Sequence, residues 1–217
     1  MKARLLVLLV CACLPVVAQK AEDTKPLPPG TIVDSHRIES PLSEPVWEIG
    51  PWFGGGTGLG SASEFKFINA GVRIGRVLTG TIGTGTFRGT FEWASDIIPV
   101  YYVRQSDFYD SGPQHWVYAF SANPVVLKWN WVANRKITPY FAAEGGLLFS
   151  TKDVPLPDTS DINFTPGGAF GIYIHRGEKH AIDLSAHVTH ISNASLGDHN
   201  PGINATMQFR VGYTWFK

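Results

Sequence analysis

Two residues near the end of the chain could do chemistry together. His190 and Ser192 lie two apart in the run His190-Ile191-Ser192-Asn193-Ala194, and Asn200-Pro201-Gly202-Ile203-Asn204 follows. On a β-strand, side chains at i and i+2 share a face, roughly 6.5–7 Å apart along the backbone. An imidazole so placed can lean onto the hydroxyl and take its proton, which is the first half of a serine-nucleophile site.

The element that must position this pair is an alternating strand. Over 180–192, Ile182, Leu184, Ala186 and Val188 oppose Asp183, Ser185, His187 and Thr189. The same period of two recurs elsewhere. Ile68, Ala70, Val72 and Ile74 oppose Asn69, Gly71, Arg73 and Gly75; Phe87, Phe91 and Trp93 oppose Arg88, Thr90, Glu92 and Asp96. In the last strand Ala205, Met207, Phe209, Val211, Tyr213 and Trp215 oppose Thr206, Gln208, Arg210, Gly212 and Thr214. About eight such strands are predicted, near 46–54, 64–78, 86–103, 115–131, 137–150, 164–175, 180–192 and 203–216. Parity slips at Asn123-Pro124, which predicts a bulge there.

The apolar faces are long and aromatic, and the opposite faces carry charges of both signs. That is the plan of an all-β, antiparallel transmembrane barrel of outer-membrane type: apolar side chains meet lipid and a polar network fills the lumen. Arg73, Arg88, Glu92, Glu144, Asp183 and Arg210 are the expected network. Long connections at 104–114 and 151–163 and short ones at 132–136 and 176–179 set the orientation, with both termini periplasmic. Gly54-Gly55-Gly56-Thr57-Gly58 is read as a flexible outer loop, and 79–86 as a Gly/Thr-rich turn. His190 and Ser192 continue the apolar series of their strand, so they project toward lipid near the outer leaflet, where a polar pair is costly unless satisfied or functional.

The 217 residues bound the remaining choices. Lys2 and Arg4 precede an apolar run from Leu5 to Val17, and Val16-Val17-Ala18 is a small-residue cleavage site, so residues 1–18 read as a secretion signal. Residues 19–45 are polar and Pro-rich and read as a flexible arm; residues 46–217 form the barrel domain. Both cysteines, Cys11 and Cys13, fall in the signal, so the exported chain is expected to use no disulfide. Net charge is zero, which gives no electrostatic case for nucleic acid. No metal-ligand spacing and no phosphate-loop pattern is present, so neither metal nor cofactor is expected.

The string from His190 to Ala194 with that from Asn200 to Asn204 resembles the signature of lipid A 3-O-deacylases, the PagL-type outer-membrane enzymes. Pro139-Tyr140-Phe141-Ala142-Ala143-Glu144-Gly145-Gly146-Leu147 and Asp153-Val154-Pro155 are similar to that family's middle strands. The resemblance is sharp over the last third of the chain. It implies an eight-stranded barrel that removes the ester-linked acyl chain at position 3 of lipid A, with its site on the outer wall. It implies lipid A, or lipopolysaccharide, in the outer leaflet as partner, with a homodimer as an open alternative. On that pattern Ser192 is the nucleophile, His190 the general base, Asn193 an oxyanion donor with nearby backbone N–H groups, and Asn200 a loop-shaping or oxyanion residue. The family has Glu where this chain has Asn204, in the position that orients the imidazole; an amide can orient a histidine but supplies no negative charge. By parity Asn204 joins Thr206, Gln208 and Arg210 on the luminal face, and only a bulge at the strand's start would turn it outward. Asp198 is the nearest spare carboxylate.

Blander readings stand beside these. His190 as an interfacial residue and Ser192-Asn193 as turn formers describe a non-catalytic structural or adhesion barrel with a decayed site. Acyl transfer or phospholipid cleavage by the same pair is a third reading. His187, beside Asp183 and Thr189, reads as a structural member of the lumen.

Overall fold

The computed structural model describes residues 40–108, 111–132, 134–196 and 199–217; the signal segment, residues 19–39 and Asp198 lie outside them. The elements are β1 (Trp47–Gly58), β2 (Lys66–Val77), β3 (Thr90–Phe108), β4 (Ser111–Asn130), β5 (Ile137–Ser150), β6 (Ile162–Phe164), β7 (Gly167–His175), β8 (His180–Ile191) and β9 (Ile203–Phe216). All pairings are antiparallel. Neighbours run β4-β3-β2-β1-β9-β8-β7-β5, and β4 pairs with β5 to close the cylinder. Short β6 pairs with the upper part of β5 and β7 with the lower part, so the two make one stave interrupted at Thr165-Pro166. The barrel therefore has eight staves, and the β4–β5 pairing closes the sheet on itself.

Alternation sorts the side chains as the sequence implies. Phe53, Phe170 and Phe209 are 65%, 55% and 64% exposed on the outer wall, while Arg73, Glu92, Lys128 and His187 are buried inside. The lumen is filled in layers. Toward the end carrying residues 151–161 and 192–202, Val103, Val117, Leu148, Val154, Ile191 and Ile203 form an apolar layer. Toward the end carrying Trp47 and Lys217, Leu42, Val77, Val132, Tyr140 and Phe216 form another. Between them runs a belt of charges. Arg73 makes two bonds of 2.8 Å to Asp96, which also accepts from Arg210 at 3.2 Å. Lys128 bridges Glu48 at 3.1 Å and Glu92 at 2.9 Å, and Tyr173 donates to Glu48 at 2.6 Å. Opposite charges at such distances, away from water, hold strongly only because each partner is present.

Several expectations need correction. Residues 104–114 are not a long loop: β3 and β4 run on and pair as far as Phe108 and Ser111. Gln105 and Ser106 are buried there and donate to Asp153 O and Glu64, so neighbouring segments satisfy this polar run. Gly54 to Gly58 is not a loop but the end of β1, paired to β2 and β9. A Cβ on Gly56 would lie 1.9 Å from the Met207 carbonyl oxygen, so the strands approach too closely there for a side chain. Arg88 and Phe87 precede β3 in a short 3-10 turn (Gly85–Phe87, with Arg88 at its end), not within the strand. Residues 40–45, assigned to the arm, pack against the barrel: Ser40 shares a 2.6 Å hydrogen bond with Thr138, and Leu42 is fully buried. The bulge at Asn123-Pro124 is present, since register shifts between Ala122/Leu147 and Val125/Gly145.

Candidate active site

The site is built where β8 outlasts its regular ladder. On one side the His190 N–H donates to the Pro166 carbonyl at 2.9 Å, and Ser192 exchanges two backbone bonds with Phe164, at 2.7 and 3.1 Å. The broken stave therefore fixes the backbone of both residues. On the other side the ladder to β9 shifts register: Thr189 pairs with Thr206, but Ile191 pairs with Ile203. Two steps on β8 thus face three on β9, which is a bulge. Ile191 and Ile203 are fully buried, whereas Asn204 is exposed. Parity had put Asn204 in the lumen; the extra residue turns it out beside His190.

His190 and Ser192 are both half-buried and follow Leu184 and Val188 on the outward row of β8. His190 Nδ1 lies 3.1 Å from the main-chain oxygen of Asn204. A carbonyl oxygen only accepts, so Nδ1 carries the proton and Nε2 is left as the acceptor nitrogen. That is the tautomer a general base for serine needs. Gly202, at φ +60°, borders both residues: a Cβ there would stand 3.4 Å from Ser192 Cβ and 3.6 Å from His190 Cε1. No hydrogen bond joins Ser192 Oγ to the imidazole among the described residues, and such contacts commonly tighten only with substrate bound.

Beyond Ser192 the backbone turns sharply. Ala194 and Ser195 take φ of 50° and 62°, a left-handed conformation that strains non-glycine residues and gathers at functional sites. Asn193, 1% exposed, holds this turn from within: its amide donates to His199 O at 2.7 Å and its carbonyl accepts from Ser195 N at 2.9 Å. The Asn193 side chain therefore organises the loop. The backbone N–H groups of Asn193 and Ala194 make no hydrogen bond among the described residues. Asn200 reaches Ser195 Oγ at 3.4 Å from an exposed position.

A second serine-histidine-acid string lies inside the barrel. Ser185 Oγ is 3.0 Å from His187 Nε2, and His187 Nδ1 is 3.1 Å from Glu144. His187 has no exposed surface, so this string is part of the luminal belt, closed to any substrate. The sequence identified His187 as structural but not Glu144 as its partner, because that contact spans three staves. No cluster of three or more His, Cys, Asp or Glu suited to a cation occurs among the described residues.

Comparison with known proteins gives two matches. The family described as lipid A 3-O-deacylase (PagL) matches residues 80–214. A solved structure described as the crystal structure of the outer membrane enzyme PagL is 17% identical, with a TM-score of 0.46, over 76% of this chain and 97% of that one. No curated protein matches.

Proposed function

This chain belongs to the lipid A 3-O-deacylase (PagL) family, and on that premise we propose that it is an outer-membrane serine esterase that hydrolyses the 3-O-linked acyl chain of lipid A. The observation that carries the reading is the outward row of β8. It presents a hydroxyl and, two residues away, an imidazole whose Nδ1 is held by the Asn204 carbonyl.

In the proposed reaction Ser192 Oγ attacks the ester carbonyl as His190 Nε2 takes its proton. The oxyanion accepts hydrogen bonds from the N–H groups of Asn193 and Ala194, which have no other partner among the described residues and are oriented by the strained turn. As the intermediate collapses and the bond from the acyl carbon to the sugar oxygen breaks, His190 gives its proton to that oxygen, which departs as a hydroxyl. Water, activated by the same nitrogen, releases the fatty acid and restores Ser192. Asn193 and Asn200 serve by shaping the loop. Asn204 serves through its main chain, which fixes the tautomer without supplying a charge. All these groups come from one chain, so the reading requires no dimer. Residues 1–18 direct export and are removed, and the long-loop end of the barrel faces outward.

The test is to place the full chain in outer membranes and weigh the lipid A by mass spectrometry. Loss of one 3-hydroxyacyl chain, abolished in Ser192→Ala and His190→Ala, supports the reading. Unchanged lipid A, or loss that persists in Ser192→Ala, refutes it. Asn204 in place of an acid favours one competing reading, a structural barrel with a decayed site. Activity present only in Asn204→Glu would establish that reading. A lipid that gains the lost chain would instead identify acyl transfer.

A further inference from the structure

At the end of the barrel opposite Ser192, two short turns enclose a cleft of about 910 Å³. One lies between β4 and β5, where residues 131, 132 and 134–136 are described; the other, 176–179, joins β7 to β8. The β5–β7 pairing runs up to their base, where the His175 N–H at the end of β7 donates to the Lys136 carbonyl at 2.8 Å. Asn134 Oδ1 braces the first turn by accepting from Lys136 N at 2.7 Å. The cleft is therefore a built feature of the fold.

Its lining is amphipathic. Ile137 and Ile174 are register partners on the outer wall and form an apolar floor. Arg135, Lys136 and Arg176 stand at the rim. Arg135 is matched by Glu178 at 2.9 Å. Lys136 and Arg176 have no carboxylate partner among the described residues. His175, 9% exposed, also borders the cleft, and its buried Nδ1 has no hydrogen bond among the described residues. Aromatic residues mark the depth. Trp131 adjoins β5 through a 2.9 Å bond to Pro139, and the edge-to-face pair Tyr213 and Trp215 stands at the same end. Belts of this kind sit at the level of lipid headgroups.

We propose that this cleft holds the headgroup of an anionic phospholipid of the inner leaflet: its phosphodiester between Lys136 and Arg176, the start of its acyl chains against Ile137 and Ile174. An arginine fork suits a phosphate, and a cation without a carboxylate partner is left to attract one. The proposal rests on the outer-membrane orientation given above but not on the Ser192 chemistry.

The full chain, solubilised in a neutral detergent, is mixed with equal amounts of phosphatidylglycerol and phosphatidylcholine of the same acyl composition. Lipid retained is then weighed by native mass spectrometry. Wild type is expected to favour phosphatidylglycerol by about tenfold, in keeping with the pull of two interfacial cations. Lys136→Gln with Arg176→Gln should bring the ratio to parity, whereas Arg76→Gln with Lys217→Gln, at the same end of the barrel, should leave it unchanged. Unheated gel migration reports whether each variant is folded, and Arg176→Gln alone gives a smaller shift in the same direction if the double variant is not. Equal retention of both lipids by wild type, or selectivity surviving in the Lys136/Arg176 variant, would overturn the proposal. So would displacement of the lipid by millimolar inorganic phosphate, which would make this a free-anion site. Lipid A deacylation measured on the same variants should be unchanged, so failure here and failure of the Ser192 reading are read separately.

Discussion

The His190 imidazole is oriented by the main chain of Asn204, not by its side chain: the two meet at 3.1 Å through a carbonyl oxygen brought outward by the bulge at the start of β9. In a serine triad, losing the acid can cost about 10⁴ in rate when the wrong tautomer results. Here a carbonyl, which cannot donate, excludes that tautomer. Asn204→Ala should therefore keep activity within about tenfold of wild type, while His190→Ala and Ser192→Ala remove it. Initial rates on lipid A in detergent decide this; a loss in Asn204→Ala as deep as in His190→Ala would put the role in the side chain.

Adding the charge that Asn204 lacks should help. A carboxylate near the imidazolium formed during attack lowers the barrier, and a gain of about tenfold in kcat for Asn204→Glu corresponds to about 1.4 kcal/mol. A fall in rate would mean that the bulge cannot present a longer side chain to the ring.

Gly202 sits between the two site residues at φ +60°. An alanine there adds backbone strain of about 1–2 kcal/mol and brings a Cβ to 3.1 Å from Ile191 O. We predict a fall in kcat of about 10²-fold, the scale of an ångström-sized misplacement, with KM little changed and only a small drop in the barrel's melting temperature. Wild-type kinetics in this variant would show that Ser192 and His190 do not depend on the close approach of that loop.

Asn193→Ala removes both side-chain bonds that hold the turn over Ser195 and His199. The expected result is a loss of activity of about 10²-fold, comparable to losing an oxyanion donor, with urea unfolding of the barrel unaltered. A parallel loss of stability would instead make Asn193 part of the scaffold.

The luminal belt makes the opposite prediction. Lys128→Met leaves the Glu48 and Glu92 carboxylates in the same enclosure without their shared cation. Removing one partner of a buried pair costs about 3–5 kcal/mol, so the urea midpoint should drop sharply. The site lies on the outer wall near the other end, so turnover by the folded fraction should hold.

Much of this was readable from parity alone. A period of two puts His190 and Ser192 in the row of Leu184 and Val188 wherever β8 is drawn, and Pro124 marks a bulge because proline cannot fill a ladder position. What could not be read depends on register. The outward turn of Asn204 comes from one extra residue between Thr206 and Ile203, visible only against β8. The glycines of β1 show no side-chain alternation, so a paired strand reads as a loop. The partners Lys128–Glu48 and His187–Glu144 are joined across the cylinder, at separations no local pattern encodes.

The packed lumen has a further consequence. Among the described residues, an ion-paired belt packs between two apolar layers across the barrel interior. A filled interior of this kind is expected to make the barrel a stiff support for the groups carried on its outer wall.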